Sequence, residues 1–291
     1  MKENTRNTIY LEDSEILSQE AFEADQYILR LKSPKCAATA KAGQFANLQC
    51  DPQRKMRRPL SIMRVSKEEG WVEYLYKAVG EGTKLLAQRK VGEMVSSLGP
   101  VGRPFELHSS HPNALLLGGG VGIPPMVCLS ETIVANHSDI SPVVFMGSEV
   151  PFPFESKQSK IAVKGVADSV NGCLPLLESW GVASRLASMQ GYAGAHQGYI
   201  TDLARVWLEQ LSAEEKAKVE IFACGPTPML KSVAALAKEF ELPCQVSLEE
   251  HMACAVGGCA GCVVKVKTPQ GEAMKRICVD GPVFDSKEVF N

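Results

Sequence analysis

The sequence predicts a multi-domain protein of the β plus α/β class. An N-terminal antiparallel β-barrel is expected over residues 1–110, a parallel α/β domain over 111–245, and a small cysteine-rich domain over 246–291. Three observations predict this order. The first third is a series of short alternating runs broken by glycine. The middle repeats a strand, a glycine turn and a helix. The last segment gathers four of the ten cysteines within 25 residues.

The β reading rests on period. ADQYILRLKS alternates polar and apolar residues as a half-buried strand does, and so do FANLQC and WVEYLYKAV. Gly43, Gly70, Gly92 and Gly99-Pro100 punctuate them. Strands this short and evenly spaced predict a sheet closed into a small barrel. GEGTKLLAQRK predicts one short helix within it. The α/β reading rests on alternation of element type. ALLLGGGVGIPPMVCLSETIVAN is a buried strand, a glycine loop and a helix; SPVVFMGS is a second buried strand; VEIFACGPTPMLKSVAALAKEF is again strand, turn and helix. Strands alternating with helices imply a parallel sheet, whose ligands bind beyond the carboxyl ends of its strands. GGGVG and CGP both fall at such ends.

Composition narrows the function classes. Of 291 residues, 45 % are apolar and 22 % charged, which is enough apolar material for a sizeable core. A net charge of −2 gives no general surface for nucleic acid or anionic membrane. MKENTRNTIYLEDSEIL lacks the apolar stretch of a signal peptide, and no apolar run reaches the ~18 residues of a membrane span. The expectation is a cytoplasmic protein. In that reducing compartment, clustered cysteines are metal ligands more often than disulfides.

The cysteine spacing carries the sharpest signal. Cys254, Cys259 and Cys262 follow C-x4-C-x2-C, and Cys278 comes after fifteen more residues. That is the order of plant-type [2Fe–2S] sites. Gly257, Gly258 and Gly261 let the loop wrap tightly and aim N–H groups at sulfur. Zinc and plain structural thiols are the alternatives, although zinc sites usually show two C-x2-C-like pairs. The fourth cysteine comes sooner than in free-standing plant ferredoxins, so the cluster domain is expected to need the rest of the chain as cover.

Other motifs are open when read alone. In Arg57-Arg58-Pro59-Leu60-Ser61, an Arg and a Ser three apart point to opposite faces, where one can pair with phosphate and the other with a ring or phosphate oxygen; an edge strand with solvated arginines reads the same way. Gly80–Thr83 is an anion seat at a helix start or a simple cap. GGGVGIPP has Gly118, Gly119, Gly120 and Gly122 but Ile123 where the G-x-G-x-x-G fingerprint needs glycine. It serves either a ligand or a tight turn. Cys224-Gly225-Pro226 repeats the arrangement, with Cys224 readable as a buried thiol. The five histidines form no metal spacing. His251, beside the cysteines, is a possible donor to a cluster or a surface residue. No catalytic acid, base or nucleophile is legible.

The order of these motifs resembles the ferredoxin–NADP reductase superfamily: RPLS and GT on a β domain, then GGGVGIPP and CGP on an α/β domain. The tail SLEEHMACAVGGCAGCVVK…RICVDGPVF is similar to one branch, the electron-transfer subunits of the NAD-dependent, class 1B dihydroorotate dehydrogenases. The resemblance covers nearly the whole chain and is weakest over 150–197. It implies an FAD-binding barrel, a Rossmann-like NAD-binding domain and a [2Fe–2S] domain. It implies FAD contacts at Arg58, Pro59, Leu60, Ser61, Leu75, Tyr76 and Lys77, and FAD phosphates at Gly82 and Thr83. It implies cluster ligands at Cys254, Cys259, Cys262 and Cys278, and nicotinamide near Gly118, Gly119, Gly120 and Gly122 and near Cys224, Gly225 and Pro226.

There are departures. The branch's SLEERMACG reads SLEEHMACA here, with His251 and Ala255, and MQGYAGAHQGYITDL replaces an acidic TDDGS-like stretch. The resemblance further implies a separate FMN-containing catalytic subunit, in a heterotetramer, that oxidises dihydroorotate to orotate in pyrimidine biosynthesis. Neither a nucleic acid nor a membrane is expected as partner. Sulfite reductase, hydrogenase and transhydrogenase complexes carry similar reductase modules and stand as the alternative. A zinc-bearing interaction module and a self-contained flavin reductase are two more. Glu149, just past SPVVFMGS, can accept from a ribose hydroxyl and repel a 2′-phosphate, which favours NAD.

Overall fold

The computed structural model describes residues 8–290. The chain divides into two compact units, one of residues up to Phe105 with Ser247–Phe284, the other of Glu106–Val246 with Asp285 onward.

In the first unit, β1 (Tyr10–Phe22), β2 (Gln26–Lys32), α1 (Pro34–Thr39), β3 (Phe45–Gln49), β4 (Arg58–Ser66), β5 (Trp71–Lys77), α2 (Glu81–Ala87) and β6 (Met94–Val101) follow in sequence. The strands close into a barrel in the order β1-β2-β5-β4-β3-β6. Every pairing is antiparallel. Closure leaves no edge strand, and register shifts at Ile16/Ser18, Phe45/Asn47 and Ile62/Arg64 bend the strands enough to achieve it. Ile16, Leu29, Leu31, Leu48, Ile62, Val72 and Tyr74 are wholly buried and form the core. Helix α2 is fixed to the barrel by one side chain. Gln19 Nε2 donates to the carbonyls of Leu86, Ala87 and Arg89 at 3.0–3.2 Å, and its Oε1 accepts from the Tyr76 hydroxyl at 3.0 Å. The open carbonyls of the helix end are thereby satisfied.

The second unit begins with β7 (Asn113–Gly119), α3 (Ile123–Asn136) and β8 (Ser141–Gly147). A short antiparallel ribbon of β9 (Lys157–Gln158) and β10 (Gly172–Cys173) leads to α4 (Pro175–Ser179), β11 (Ala183–Ser188), β12 (His196–Gln197), α5 (Ile200–Glu209) and α6 (Ala213–Lys216). Then come β13 (Val219–Cys224), α7 (Thr227–Glu239) and β14 (Cys244–Ser247). Strand order in this sheet runs β12-β11-β8-β7-β13-β14, parallel from β12 to β13. Leu115, Leu116 and Leu117 are all fully buried, the continuous apolar run expected of a strand covered on both faces. The order reverses between β7 and β13. That is a topological switch point, where open α/β sheets bind ligands.

The cysteine segment completes the first unit. A hairpin of β15 (Val263–Thr268) and β16 (Gly271–Arg276) runs into α8 (Ile277–Asp280). Beyond α8 the chain returns to the barrel, and the Arg103 N–H donates to the Gly281 carbonyl at 2.6 Å. Among the described residues, no helix is long and apolar enough to cross a membrane.

Candidate functional site

The side chains that the sequence singled out lie in three groups, and each group is placed by different elements. The first lies on the barrel. Strand β4 sets Arg58, Pro59, Leu60 and Ser61 opposite Leu48, Asn47, Ala46 and Phe45 of β3. The two arginines divide the work. Arg57 turns onto β6, where it donates to the Ser96 carbonyl at 2.8 Å and hydroxyl at 3.0 Å, and burial lowers its pKa. Arg58 donates through Nη1 to the carbonyls of Met56 and Arg57 at 3.1 Å. The other edge of its guanidinium lies against Gly82, since a Cβ there would sit 3.2 Å from Nε and 3.3 Å from Nη2. The first turn of α2, whose N–H groups have no intrahelical acceptor, is thus brought beside a cation. The Arg54–Glu81 ion pair offsets the one carboxylate at this helix start.

Thr83 does local work: its hydroxyl accepts from the Gly80 N–H at 3.2 Å and lies 3.1 Å from the Gly80 carbonyl, which makes it the cap of α2. On β5, Leu75 and Tyr76 are buried and Lys77 is half-buried. Tyr76 stacks on Tyr27 with ring centroids 5.3 Å apart, and burial raises its phenol pKa. Its hydroxyl is committed to Gln19, so this residue shapes the barrel floor under α2.

The second group lies at the switch point. β7 and β13 are in register, Gly118 opposite Cys224, and their two turns touch. A Cβ on Gly122 would fall 2.3 Å from the Cys224 carbonyl oxygen, and one on Gly119 would fall 2.4 Å from Met229 Sδ. Gly120 adopts φ +54 with open space around it, while Pro124 and Pro125 start α3. The residues that the sequence could only place at two strand ends therefore form one crevice wall.

The third group is the cysteine loop. Among the described residues no two cysteines form a disulfide, and six of the ten are buried outside this loop. Within it lie the four cysteines of the C-x4-C-x2-C…C spacing. The Cys259 N–H points at Cys254 Sγ at 3.4 Å, and the Cys262 and Cys278 sulfurs lie 3.4 Å apart. Gly261 N–H in turn points at Cys259 Sγ at 3.4 Å. Burial opposes the Cys254 thiolate, but the N–H groups of Val256, Cys259 and Gly258 and the Cys259 thiol outweigh it and hold the pKa to about 6. Burial and the neighbouring Cys262 push Cys278 up to about 12. Among the described residues, no three His, Cys, Asp or Glu side chains converge on one ion. Four thiols at the C-x4-C-x2-C…C spacing are the donor number a binuclear cluster would need, two thiolates for each iron.

Sequence reasoning missed the residues that hold this loop. Arg276 Nη1 donates to the Gly257 carbonyl at 2.9 Å, and the Ile277 N–H to the Cys262 carbonyl at 3.0 Å. The left-handed positions include two alanines, Ala255 at φ +55 and Ala260 at φ +53, as well as Gly257 at φ +82. His251 is exposed. An alanine in this conformation is strained by roughly 1–2 kcal/mol. Ala260 is exposed, so Ala260→Gly is expected to stabilise the loop by about 1 kcal/mol in anaerobic thermal melts. Ala255 is 1 % exposed, so Ala255→Gly loses a buried methyl worth about 0.8 kcal/mol and is expected to be close to neutral.

The chain was compared with known proteins against this geometry. Residues 9–105 match the oxidoreductase FAD-binding domain, and residues 249–290 match the iron–sulfur cluster binding domain of dihydroorotate dehydrogenase B. The dihydroorotate dehydrogenase B (NAD(+)) electron transfer subunit of Shouchella clausii is 33 % identical over 278 residues, covering 94 % of this chain and 96 % of that one. The chain belongs to the family of dihydroorotate dehydrogenase B electron transfer subunits. The Bacillus cereus member is 31 % identical over 280 residues, covering 94 % of this chain and 96 % of its own. A structure described as an NADH-dependent reduced ferredoxin–NADP oxidoreductase superposes with a TM-score of 0.77 at 26 % identity, covering 96 % of this chain and 90 % of that one. The reductase-like fold, with its FAD-binding barrel and cluster-binding segment, is therefore that of the family.

The residues present fit both groups. The Arg58 guanidinium over the open turn of α2 is a seat for a diphosphate, and the four spaced thiols suit a two-iron cluster. Arg58→Ala is expected to lose a charge-assisted contact of about 1.5–3 kcal/mol, or roughly 10- to 100-fold in FAD affinity. Arg58→Lys is expected to recover little, because the planar fork matches phosphate and the ammonium does not. Flavin content after dialysis measures both.

Proposed function

We propose that this chain carries electrons between a partner redox subunit and NAD(H), by way of its [2Fe–2S] cluster and FAD. In this reading the electrons come from dihydroorotate, oxidised to orotate on an FMN-containing catalytic subunit in a cytoplasmic heterotetramer. The observation that supports it is the four-cysteine loop, where the Cys262 and Cys278 sulfurs lie 3.4 Å apart and the Cys259 N–H points at Cys254 Sγ, in the same unit as the Arg58 strand. FAD, when bound, would exchange electrons singly with the one-electron iron–sulfur carrier and in pairs, as a hydride, with NAD(H).

The chain's own residues divide the remaining tasks. Arg58 and the start of α2 hold the diphosphate. Pro59, Leu60 and Ser61 of β4, with Leu75 and Lys77 of β5, would hold the rest of the FAD. The Gly118–Gly122 and Cys224–Pro226 turns line the crevice for the nicotinamide nucleotide, and Glu149 beyond β8 accepts from a ribose hydroxyl. Cys254, Cys259, Cys262 and Cys278 hold the irons. No described cluster of side chains reads as a pyrimidine site, so substrate oxidation is assigned to the partner.

The test is anaerobic purification and analysis. Equimolar iron and acid-labile sulfide, stoichiometric FAD and bleaching of the visible spectrum by NADH are expected. A colourless, zinc-containing protein would sink the reading. One observation favours a second reading, a reductase subunit of another redox complex: the TM-score of 0.77 to a ferredoxin–NADP oxidoreductase. Co-purification from the native cell decides between them. A dihydroorotate-oxidising partner supports the first, and a different redox subunit supports the second.

A further inference from the structure

The barrel and the cluster segment meet along a short seam, and one buried side chain crosses beneath it. Gln44 is 3 % exposed. Its carbonyl accepts from the Ile62 N–H at 3.1 Å, next to Ser61, and Phe45 pairs with Ser61 itself. Its side chain turns the other way: Oε1 accepts from the Lys41 N–H at 2.8 Å, and Nε2 donates to the Gly102 carbonyl at 2.7 Å. The next residue, Arg103, donates its N–H to the Gly281 carbonyl at 2.6 Å, three positions from Cys278. Packing closes the same seam. Gly102 adopts φ +93, and a Cβ there would lie 2.4 Å from Pro282 Cδ; one on Gly43 would lie 3.0 Å from Val283 Cγ2. The Leu248 N–H donates to the Pro282 carbonyl at 3.0 Å, which ties the entry of the cluster segment to its exit.

We propose that Gln44 is a positioning residue that sets the cluster ligand Cys278 relative to the flavin strand β4. The inference rests on the FAD and cluster reading given above. The step it serves would move one electron between cluster and flavin: in the direction proposed above the cluster is oxidised by one and the flavin reduced by one, and no bond forms or breaks. Such a step depends on a fixed separation, and a run of short hydrogen bonds between well-packed backbone segments provides it. A buried amide suits the task because it donates and accepts at once, satisfying two buried backbone groups on two different loops.

The test uses the full chain carrying both groups, with Gln44→Glu and Gln44→Met. The carboxylate of Gln44→Glu still accepts from Lys41 but has no hydrogen for Gly102, so it separates the seam from local loop closure. In Gln44→Glu, exchange of the Arg103 amide hydrogen, which donates across the seam to the Gly281 carbonyl, is expected to speed up roughly tenfold. The electron paramagnetic resonance signal of the dithionite-reduced cluster is expected to shift or broaden. The ratio of NADH-driven cluster reduction to NADH–ferricyanide turnover is expected to fall on the order of tenfold, as small misplacements of reacting groups do. Gln44→Met is expected to do the same or more. Parent-like exchange, signal and ratio in Gln44→Glu overturn the proposal. So does failure of both variants to fold, which assigns Gln44 to barrel stability alone. A parent chain without flavin or cluster signals would count against the proposed function instead; the exchange measurement needs neither group and judges the seam by itself.

Discussion

Cys262→Ala is expected to abolish the cluster and with it electron transfer between the partner and NAD(H), by more than ~100-fold. That exceeds the roughly 10- to 100-fold that loss of a mere outer contact brings to a metal site. Cys262 and Cys278 are both 3 % exposed, and their sulfurs lie 3.4 Å apart. With one thiolate gone, an iron held by this pair would keep a single protein ligand. No described His, Asp or Glu converges there to replace it. The measurement is visible absorption with iron and sulfide analysis on anaerobically prepared protein. FAD should stay bound, because Arg58 and α2 do not depend on the loop. Cys128→Ala is the control. That thiol is buried in α3, where burial pushes its pKa up to about 12, and its loss should leave the iron content at the parent level. Equal loss of iron from both variants would mean that the metal is held by general folding and not by the four spaced cysteines. Retention of a full cluster in Cys262→Ala would remove this residue from the ligand set.

Much of this was legible in the sequence, because the signals were local. The C-x4-C-x2-C spacing lies within nine residues and is the order of plant-type two-iron sites. The strand–turn–helix runs at residues 113–136 and 219–239 announce themselves by period alone. What the sequence did not disclose is non-local or has no letter code. Gln44 reaches Gly102 across 58 positions, and nothing in KAGQFANL marks its glutamine as buried. The contact of Gly122 with Cys224 depends on β7 and β13 being neighbours, which strand order decides and periodicity does not. Ala255 and Ala260 take a conformation that a reader assigns to glycine, so the strain in the loop is invisible until φ is known. Thr83 shows the reverse case. GEGT reads as a ligand seat or as a cap, and the hydroxyl turns out to be spent on the cap, leaving the seat to backbone N–H groups and to Arg58.

Gly122→Ala is expected to close the nucleotide crevice while leaving the flavin and the cluster in place. The backbone of Gly122 is not the obstacle: φ −85 and ψ −1 are open to alanine. The obstacle is contact. The added Cβ would meet the Cys224 carbonyl oxygen at 2.3 Å, its carbon at 2.4 Å and the Gly225 nitrogen at 2.6 Å, all of them backbone atoms that cannot rotate away. The turn after β13 must retreat, at a cost of about 1–3 kcal/mol or more, as overpacking a close-packed site demands. Gly120→Ala is the contrast. It sits in the same loop at φ +54 with nothing within 4 Å, so it carries roughly 1–2 kcal/mol of backbone strain but no clash with the second turn. The two variants therefore separate stability from site shape. Both should melt earlier, yet only Gly122→Ala should lose most of its kcat/KM for NADH with ferricyanide as acceptor. Flavin and iron content should match the parent in both, since FAD and cluster residues belong to the other unit. If Gly122→Ala keeps its parent kcat/KM, the switch-point crevice is not where the nicotinamide nucleotide reacts. The close approach of these two turns would then be a packing device alone.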